Sequence, residues 1–314
     1  MFALCIESSH ARGMGHFYRA LNLIAYLDSR KQKSVLFINN HAGSLELLEF
    51  NNIKYEIVPL DDLQSNWESV LIHKYGVTVW INDRLNTDIR HANHVKRTGI
   101  KLVTFDDEGS GAVEADLHIA AFAFDVNTLQ GKRVLKGPDY LVLNPEIDRF
   151  KRLRTKVDKI VVSMGGSDTS GVTIKVIEIL KNAGKSATVI TGPGFEHTSA
   201  LEKILTPAFT IRRTVPSLIE EFSHYDLAIT GGGMTAFEAS ASGLPCIIIA
   251  SELFEIPNAR YLEKMGSARY AGFHQQINTD VLKQRLDIEN MSRAGMTHFS
   301  TKGVSNIFRE LDRL

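Results

Sequence analysis

The stretch DLAITGGGMTAFEASASGLPCIIIA, residues 226–250, decides the fold class. A β-rich run leads into three consecutive glycines (residues 231–233, the glycine turn), a segment with helical spacing begins at Met234 or Thr235, and an apolar run follows. This order of strand, turn, helix and strand is the unit from which parallel α/β sheets are built. Three glycines in a row are conformationally costly, which indicates that another group approaches the backbone closely.

The start of the helix after the glycine turn is a candidate phosphate site. Unpaired backbone N–H groups and the helix dipole attract a diphosphate there. We predict that Gly232, Gly233, Met234 and Thr235 bind it, with a hydroxyl supplied by Thr235. Glu238 lies about one turn into the helix, where its carboxylate can accept hydrogen bonds from ribose hydroxyls. The alternative is a tight turn followed by a surface glutamate.

The same alternation of β-rich runs and helical segments occupies the whole chain. It is interrupted once, by a mixed segment with two prolines at residues 131–154. We therefore predict two doubly wound α/β domains, residues 1–150 and 151–314, with an amphipathic last helix at 303–314 that is free to pack on either. The carboxyl ends of parallel strands bind ligands, so we expect the glycine turns of both domains to open onto one cleft.

A second glycine-rich segment, GMGH, follows the first strand and enters a helix. We predict that His16 is catalytic and that Gly13, Gly15, Arg12 and Arg19 bind substrate; a solvated helix face is the alternative for Arg19. Imidazole suits a general base because its unperturbed pKa is about 6.5. The alternative for His16 is a capping or core histidine.

In the second half, SMGGSD follows another strand. Gly165, Gly166 and Ser167 are predicted to contact the nucleotide, while Ser167 and Asp168 also fit a helix cap.

Acidic side chains end two strands of the first half. Asp106 and Asp107 are adjacent, so they point to opposite faces and only one of them is expected at the site. We predict Asp106 as a catalytic residue that orients His16 or binds sugar hydroxyls, and Asp83 as a sugar-binding residue. The histidines of HANH, residues 91–94, are interpreted as part of a solvated helix face.

Composition argues against several classes of protein. Lys plus Arg and Asp plus Glu both number 36, so no strong field recruits nucleic acid. No apolar run is long enough to span a bilayer, which leaves peripheral membrane contact open, and we expect a cytoplasmic protein without a signal peptide. Cys5 and Cys246 lie in apolar runs and are expected to be core thiols. No cofactor or metal is expected.

Two common nucleotide motifs do not fit. A dinucleotide fold requires G-x-G-x-x-G and an acidic residue at the end of the second strand; here Tyr18 replaces the third glycine and the second strand ends at Asn39 and Asn40. A phosphate loop of the form G-x-x-x-x-G-K-[ST] is absent from the sequence.

The motifs resemble a known family. GGGMTAFEASASGLPCIIIA followed by IPNARYLEKMG resembles the carboxyl-terminal nucleotide-binding motif of GT-B sugar-nucleotide enzymes, the class that includes MurG-type transferases. GMGHFYRALNLI, KLVTFDDEGSGAVEADL and VVSMGGSD together resemble two narrower groups, the UDP-sugar hydrolases of pseudaminic acid biosynthesis (PseG) and the spore coat polysaccharide SpsG proteins. The similarity extends over most of the chain and implies a GT-B-like fold.

The resemblance also implies roles for individual residues. It places a UDP-sugar in the cleft, with uracil and ribose on the second domain. His16 matches the histidine thought to be the catalytic base, Glu238 the ribose-binding glutamate and Asn258 a polar residue near the sugar. The diphosphate turn is matched by Gly232, Gly233 and Thr235. One departure is INDRLNTD, residues 81–88, where the hydrolases carry Asp-His-Tyr and this chain has Arg84; this segment is closer to the SpsG pattern.

Three functions remain open at this point. The first is a UDP-sugar hydrolase in nonulosonate and surface polysaccharide biosynthesis, and the second is a glycosyltransferase that uses the same leaving group with a sugar or lipid acceptor. The third is a sugar-nucleotide-binding protein without chemistry, against which His16 argues because a binder needs no base. The hydrolase is favoured since no strongly apolar or basic run suggests docking to a membrane-bound acceptor.

Overall fold

The computed structural model describes residues 1–8, 14–122, 129–213 and 215–314. The predictions for Arg12 and Gly13 lie outside these residues. The chain divides into two compact units: the first contains Met1–Arg12, His16–Val142 and Lys302–Leu314, and the second contains Gly13–Gly15 and Leu143–Thr301.

Up to residue 142, strands and helices alternate as the sequence predicts. The strands are β1 (Phe2–Ile6), β2 (Ser34–Ile38), β3 (Tyr55–Ile57), β4 (Val79–Asp83), β5 (Lys101–Phe105), β6 (Leu117–Ala120) and β7 (Val134–Lys136). The helices are α1 (Gly15–Ser29), α2 (Ala42–Phe50), α3 (Trp67–Tyr75) and α4 (Ile89–Lys96).

The alternation resumes after residue 142. The strands are β8 (Ile160–Ser163), β9 (Ala187–Thr191), β10 (Phe209–Arg213), β11 (Leu227–Thr230), β12 (Cys246–Ala250), β13 (Ala268–Phe273) and β14 (Gln276–Ile277). The helices are α5 (Ile147–Phe150), α6 (Val172–Asn182), α7 (Thr198–Ile204), α8 (Leu218–Phe222), α9 (Met234–Ala241), α10 (Glu255–Lys264), α11 (Ile288–His298) and α12 (Gly303–Leu311).

Each unit is built on one seven-stranded sheet with the first strand near its centre. The orders are β3-β2-β1-β4-β5-β6-β7 and β10-β9-β8-β11-β12-β13-β14. All neighbouring pairs are parallel except β13 and β14. This doubly wound order reverses direction beside the first strand, where ligands bind in open α/β sheets. The predicted α/β fold class is confirmed.

Register determines which side chains meet at the carboxyl edge of the first sheet. Ile6, the last residue of β1, pairs with Asp83, the last residue of β4. Asp106 follows the next strand, β5. The loop after β1 leads into α1, so the start of α1 lies at the same edge as Asp83.

The two cores are apolar, as the sequence predicts. In the first unit Phe37, Trp80 and Leu102 are fully buried; in the second Val162, Val189 and Ile249 are. Cys5 and Cys246 are free and buried, and burial raises the pKa of each thiol to about 12. Among the described residues, no helix is both long and apolar enough to cross a bilayer.

Several elements differ from the sequence prediction. The strands β7, β13 and β14 and the helices α5, α7 and α11 are not evident from the sequence, because their runs are short or mixed in character. The division between the units falls after Val142, not near residue 150, since the following segment packs on the second unit. Arg154, for example, is buried there and donates hydrogen bonds to the carbonyl oxygens of Phe222 and Ser242. Helix α12 belongs to the first unit.

Candidate functional site

His16 lies in the first turn of α1, at the carboxyl edge of the first sheet. Its Nδ1 is 2.5 Å from Oδ1 of Asp83 at the end of β4, and both side chains are buried. An ionised carboxylate only accepts hydrogen bonds, so Nδ1 carries the proton and donates it to Asp83. No described residue bonds to Nε2 of His16. The arrangement leaves Nε2 with a lone pair, which is what a general base requires.

Arg19, one helical turn after His16, also binds the carboxylate of Asp83. Its Nε and one terminal nitrogen each donate to Asp83 over 2.6 Å, and its other terminal nitrogen donates to Asp106 over 2.5 Å. The guanidinium carbon lies 4.9 Å from the ring centroid of Phe105. A bidentate, desolvated pair of this kind fixes geometry as well as charge. We name His16, Arg19, Asp83 and Asp106 the acid–base cluster.

The cluster keeps Asp83 ionised. Burial alone would raise its pKa, but the charges of Arg19 and His16 and their hydrogen bonds outweigh this and lower it to about 2. The pKa of Arg19 is raised: burial opposes its charge, but the two carboxylates stabilise it. A fixed carboxylate at Nδ1 also holds the imidazole ring in one orientation.

These contacts rule out one alternative, because Arg19 is buried and is not on a solvated helix face. Its donors face Asp83 and Asp106. The substrate-binding roles of Arg19 and Asp83 stay predictions. Asp83 was predicted to bind the sugar; in the structure its two oxygens bind His16 and Arg19. Gly15 is the exposed first residue of α1, with open space where a side chain would be.

The adjacent aspartates after β5 have different partners, and the catalytic role of Asp106 stays a prediction. Asp106 contacts Arg19 and adopts φ +45°, the left-handed region that Asp tolerates better than most side chains. It reaches His16 only through Arg19 and Asp83. Asp107 instead accepts hydrogen bonds from the backbone N–H groups of Thr87 and Gly109, 2.9 Å each, and so joins the loops after β4 and β5. Asp107 is therefore the structural one of the pair.

The HANH histidines are not on a solvated face, so that interpretation is wrong. His91 is fully buried, with Nδ1 2.8 Å from Oε1 of Glu68 and Nε2 3.2 Å from Oδ1 of Asn82. His94 places Nδ1 3.0 Å from the other oxygen of Glu68. Glu68 is itself fully buried on α3. Periodicity could not reveal this, because the partner that permits burial lies on another helix.

In the second unit, the glycine turn leads into α9 as predicted. Gly233 is the residue before the helix, and no side chain caps that end. None of the three glycines has a positive φ, so they are not required by a left-handed turn. Close approach requires glycine at position 232, where a Cβ would lie 2.7 Å from the backbone oxygen of Glu255. Met234 and Thr235 form the first turn of α9 and are half-buried.

Glu238 lies in the next turn of α9 and is not a plain surface glutamate. Burial raises its pKa to about 7, against a hydrogen bond from the backbone N–H of Asn144 at 3.3 Å that lowers it. A half-buried carboxyl group with a single long hydrogen bond has unused acceptor capacity. It can therefore take up donors such as ribose hydroxyls.

Asn258 and the second glycine segment have structural partners in this unit. Asn258 is buried on α10 and donates its Nδ2 proton to the carbonyl oxygen of Gly232 over 3.1 Å, so it holds the glycine turn. Gly165, with φ +87°, Gly166 and Ser167 form the turn after β8. The predicted cap of α6 is made by Asp168, which accepts from the N–H groups of residues 172 and 173.

The sequence analysis missed Glu255, the first residue of α10. Its carboxylate lies against the glycine turn: Oε1 is 3.3 Å from the Cβ positions that side chains on Gly231 and Gly233 would occupy. Its Oε2 accepts a hydrogen bond of 2.7 Å from the backbone N–H of Ser251. The available signal was its place shortly after β12, at the same edge of the sheet as the glycine turn.

The described residues contain no cluster of three or more side chains suited to hold a metal ion. The predictions of no metal and no cofactor remain predictions.

The two parallel sheets define a fold class, and comparison with solved structures agrees. MurG of Acinetobacter baumannii superposes with a TM-score of 0.70 over 100% of this chain and 99% of its own, at 13% identity. The spinosyn rhamnosyltransferase SpnG, complexed with spinosyn aglycone, gives 0.64 over 99% and 100%, at 14% identity. The S. aureus MnaA–UDP co-structure gives 0.62 over 99% and 95%, at 12% identity. The chain has a GT-B-like fold.

The sequence comparisons give two relatives, both less than 30% identical to this chain. The chain is 27% identical over 271 residues to the uncharacterized protein MJ1062 of Methanocaldococcus jannaschii, a match of 79% of this chain and only 55% of that protein. It is 22% identical over 293 residues to the spore coat polysaccharide biosynthesis protein SpsG of Bacillus subtilis, covering 88% of this chain and 85% of SpsG. No family model matches the chain.

Proposed function

We propose that this protein is a UDP-sugar hydrolase. It cleaves the bond between the anomeric carbon and the diphosphate of a UDP-linked acetamido-deoxy sugar, in nonulosonate or another surface polysaccharide pathway. The observation that carries the proposal is the buried pair of His16 and Asp83, locked by Arg19, with Nε2 of His16 left without a described partner. The similarity to SpsG and to a UDP-bound structure supports the substrate class.

The chemistry uses the chain's own groups. Nε2 of His16 takes a proton from water while the water oxygen bonds to the anomeric carbon. The bond from that carbon to the diphosphate oxygen breaks, and its electron pair leaves with UDP. Asp83 stabilises the resulting imidazolium, and the uncapped start of α9 stabilises the charge on the departing diphosphate. That both units act on one ligand is part of the proposal.

Roles in binding follow for the second unit. The glycine turn with Met234 and Thr235 holds the diphosphate, and Glu238 accepts hydrogen bonds from the ribose. Asn258 acts through the turn that it supports. The turn formed by Gly165, Gly166 and Ser167 lies at the same edge of the sheet, which supports its predicted contact with the nucleotide.

Thermal unfolding with UDP, GDP, CMP, NAD and UDP-GlcNAc tests the ligand class. A ligand at a hundred times its Kd stabilises by about 2.7 kcal/mol, which a melting curve resolves. Selective stabilisation by uridine diphosphates supports the proposal. Stabilisation by NAD alone, or by none of these compounds, contradicts it.

A glycosyltransferase is the second candidate, because the similar SpnG structure is that of a rhamnosyltransferase. In that case a sugar or lipid hydroxyl replaces water and His16 takes its proton. UDP release from a UDP-sugar without added acceptor favours hydrolysis, whereas release that depends on an acceptor favours transfer.

A further inference from the structure

Glu255 occupies the place in the second unit where a diphosphate is expected. Its Oε1 lies over Gly231 and Gly233, 3.3 Å from the position of each missing Cβ. The backbone N–H groups of Ser251 and Glu252 donate hydrogen bonds to its Oε2, of 2.7 and 3.5 Å. This is how a protein binds a phosphate oxygen, with backbone donors and no side chain on the turn. The anion present is the protein's own.

The position of this carboxylate is electrostatically unfavourable. The pKa of Glu255 is raised, mainly because the carboxyl group is buried and to a smaller extent because the charge of Glu252 is near. Hydrogen bonds from backbone N–H groups lower the pKa but do not cancel the effect of burial. No salt bridge of the described residues involves Glu255. The Glu255 carboxylate therefore binds the glycine turn in the free protein, but a stronger anion can displace it.

The carboxylate of Glu255 lies next to exposed residues at the start of α10. The two residues before it, Leu253 and Phe254, are 71% and 68% exposed. Helix α10 is anchored further along, by Asn258, Ala259 and Leu262. Rotation of the Glu255 side chain is therefore enough to release the backbone donors, and the backbone of α10 stays packed on Gly232.

Two hydroxyl groups beside the turn lack their usual partners. Oγ1 of Thr230, which precedes the glycine turn, and Oγ of Ser251, whose N–H binds Glu255, are buried without a hydrogen bond among the described residues. Buried hydroxyl groups are normally paired. The missing hydrogen bonds of these two hydroxyl groups are consistent with a site that is completed when a ligand binds.

We propose that Glu255 is a carboxylate gate: it fills the glycine turn in the free protein, and a nucleotide diphosphate binds there by displacing it. This inference rests on the proposed function, since it assumes that the glycine turn binds the diphosphate. Two anions cannot share one set of backbone donors without strong repulsion. The affinity for the diphosphate is therefore reduced by the cost of releasing Glu255, and the gate disfavours weakly anionic ligands.

The test is calorimetric titration of UDP into the wild type, Glu255→Gln and Glu255→Ala at pH 8, after thermal unfolding has shown that each variant folds. A hydrogen bond to a charged group is about 1 kcal/mol stronger than one to a neutral group. Glu255→Gln is therefore expected to bind UDP about fivefold to tenfold more tightly, with a change in the same direction for Glu255→Ala. The second phosphate pKa is about 6, so UDP itself does not titrate at this pH.

Controls separate charge competition from general effects. Glu252→Gln removes a neighbouring carboxylate, whose Oε1 accepts from Thr169 over 3.0 Å, but leaves Glu255 in the turn, so it is expected to raise UDP affinity less than Glu255→Gln does. Uridine, which has no phosphate, is expected to bind the wild type and Glu255→Gln equally. Equal UDP affinity in the wild type and both Glu255 variants overturns the gate, as does an equal gain for uridine.

Inorganic pyrophosphate distinguishes failure of the gate from failure of the proposed function. If Glu255→Gln tightens pyrophosphate binding while UDP has no advantage over GDP or CMP, the gate stands and the uridine ligand is wrong. If UDP binds selectively but the variants do not change its affinity, the proposed ligand stands and the gate is wrong. If neither UDP nor pyrophosphate binds any variant, both are overturned.

Discussion

Nδ1 of His16 lies 2.5 Å from Oδ1 of Asp83, although 67 positions separate the two residues in the chain. The parallel pairing of β1 with β4 brings them together, because it places the end of β4 beside the loop that leads into α1. Arg19 then fixes the carboxylate from the same helix that carries His16. A backbone arrangement common to doubly wound sheets thus produces an oriented imidazole.

His16→Gln removes the proposed base while keeping a side chain that can donate to Asp83. We expect kcat to fall about 10²-fold to 10⁴-fold, the usual contribution of general base catalysis. UDP affinity is expected to stay within about twofold of the wild type, because the nucleotide contacts are assigned to the second unit. Initial rates of UDP release and calorimetric titration measure the two quantities. Wild-type turnover in this variant would exclude His16 as the base.

Asp83→Asn removes the charge that orients and stabilises His16. We expect a large loss in kcat with little change in KM, because Asp83 acts on the base and does not hold substrate. Asp106→Asn is the matched control, since Asp106 contacts Arg19 but not His16, and its loss is expected to be smaller. Equal kcat losses in the two variants would contradict the specific role of Asp83.

The stability contributed by Asp83 depends on pH in a defined direction. Its pKa in the folded protein is about 2, against an ordinary value of 3.8. A lowered pKa gives stability that is present above pH 3.8 and is lost as the pH falls towards 2. The difference in unfolding free energy between the wild type and Asp83→Asn, measured with urea, should therefore shrink over that range. A difference that is independent of pH would show that Asp83 is not ion-paired as described.

Glu238→Gln is expected to stabilise the free protein while weakening UDP binding. The pKa of Glu238 is about 7 in the folded protein, against 4.5 ordinarily. Stability from this group is present below pH 4.5 and is lost as the pH rises through 7, a cost of roughly 3 kcal/mol. Gln avoids that cost at pH 8 but loses charge-assisted bonds to ribose, so we expect affinity to fall at least about tenfold.

A gain in stability together with a loss of UDP affinity is the result that identifies Glu238 as a binding residue. Melting temperatures and UDP titrations at pH 5 and pH 8 measure both quantities, and the gain in stability should be much smaller at pH 5. A variant that is more stable yet binds UDP as well as the wild type would remove Glu238 from the binding site.

Glu68→Ala tests the structural role of the HANH histidines. It leaves His91 buried without the carboxylate that faces its Nδ1, and an unsatisfied buried polar group costs about 1–3 kcal/mol. Glu68→Gln keeps an acceptor in the same place and is expected to cost less. Urea unfolding measures both variants. A cost within experimental error for Glu68→Ala would argue against the buried arrangement.

Local patterns were sufficient to predict the fold. The β-rich and apolar runs around the glycine turn form β11 and β12, and the turn leads into a helix as expected. The strands that were missed, such as β14 with two residues, carry too few side chains to show a period. The boundary between the units could not be predicted from local patterns, because Arg154 packs against partners about 70 to 90 positions away in the chain.

The sequence predicts which residues form the candidate site but not which of them contact one another. His16, Asp83, Asp106 and Arg19 were all selected from the sequence, yet Arg19 was given a surface or substrate role. Its burial depends on two carboxylates that arrive from β4 and β5. Glu255 was missed for a related reason: a glutamate at the start of a helix is ordinary in sequence, and only the three-dimensional fold places it over the glycine turn.

The most direct test of the central claim is hydrolysis of UDP-linked acetamido-deoxy sugars in water enriched in oxygen-18, followed by mass spectrometry of both products. The proposed mechanism predicts UDP release without an acceptor, with one labelled oxygen on the anomeric carbon of the sugar and none in UDP. It also predicts that His16→Gln loses this reaction. Label in UDP would mean attack at phosphorus, and release only after addition of an acceptor would identify a transferase; either result would contradict the account.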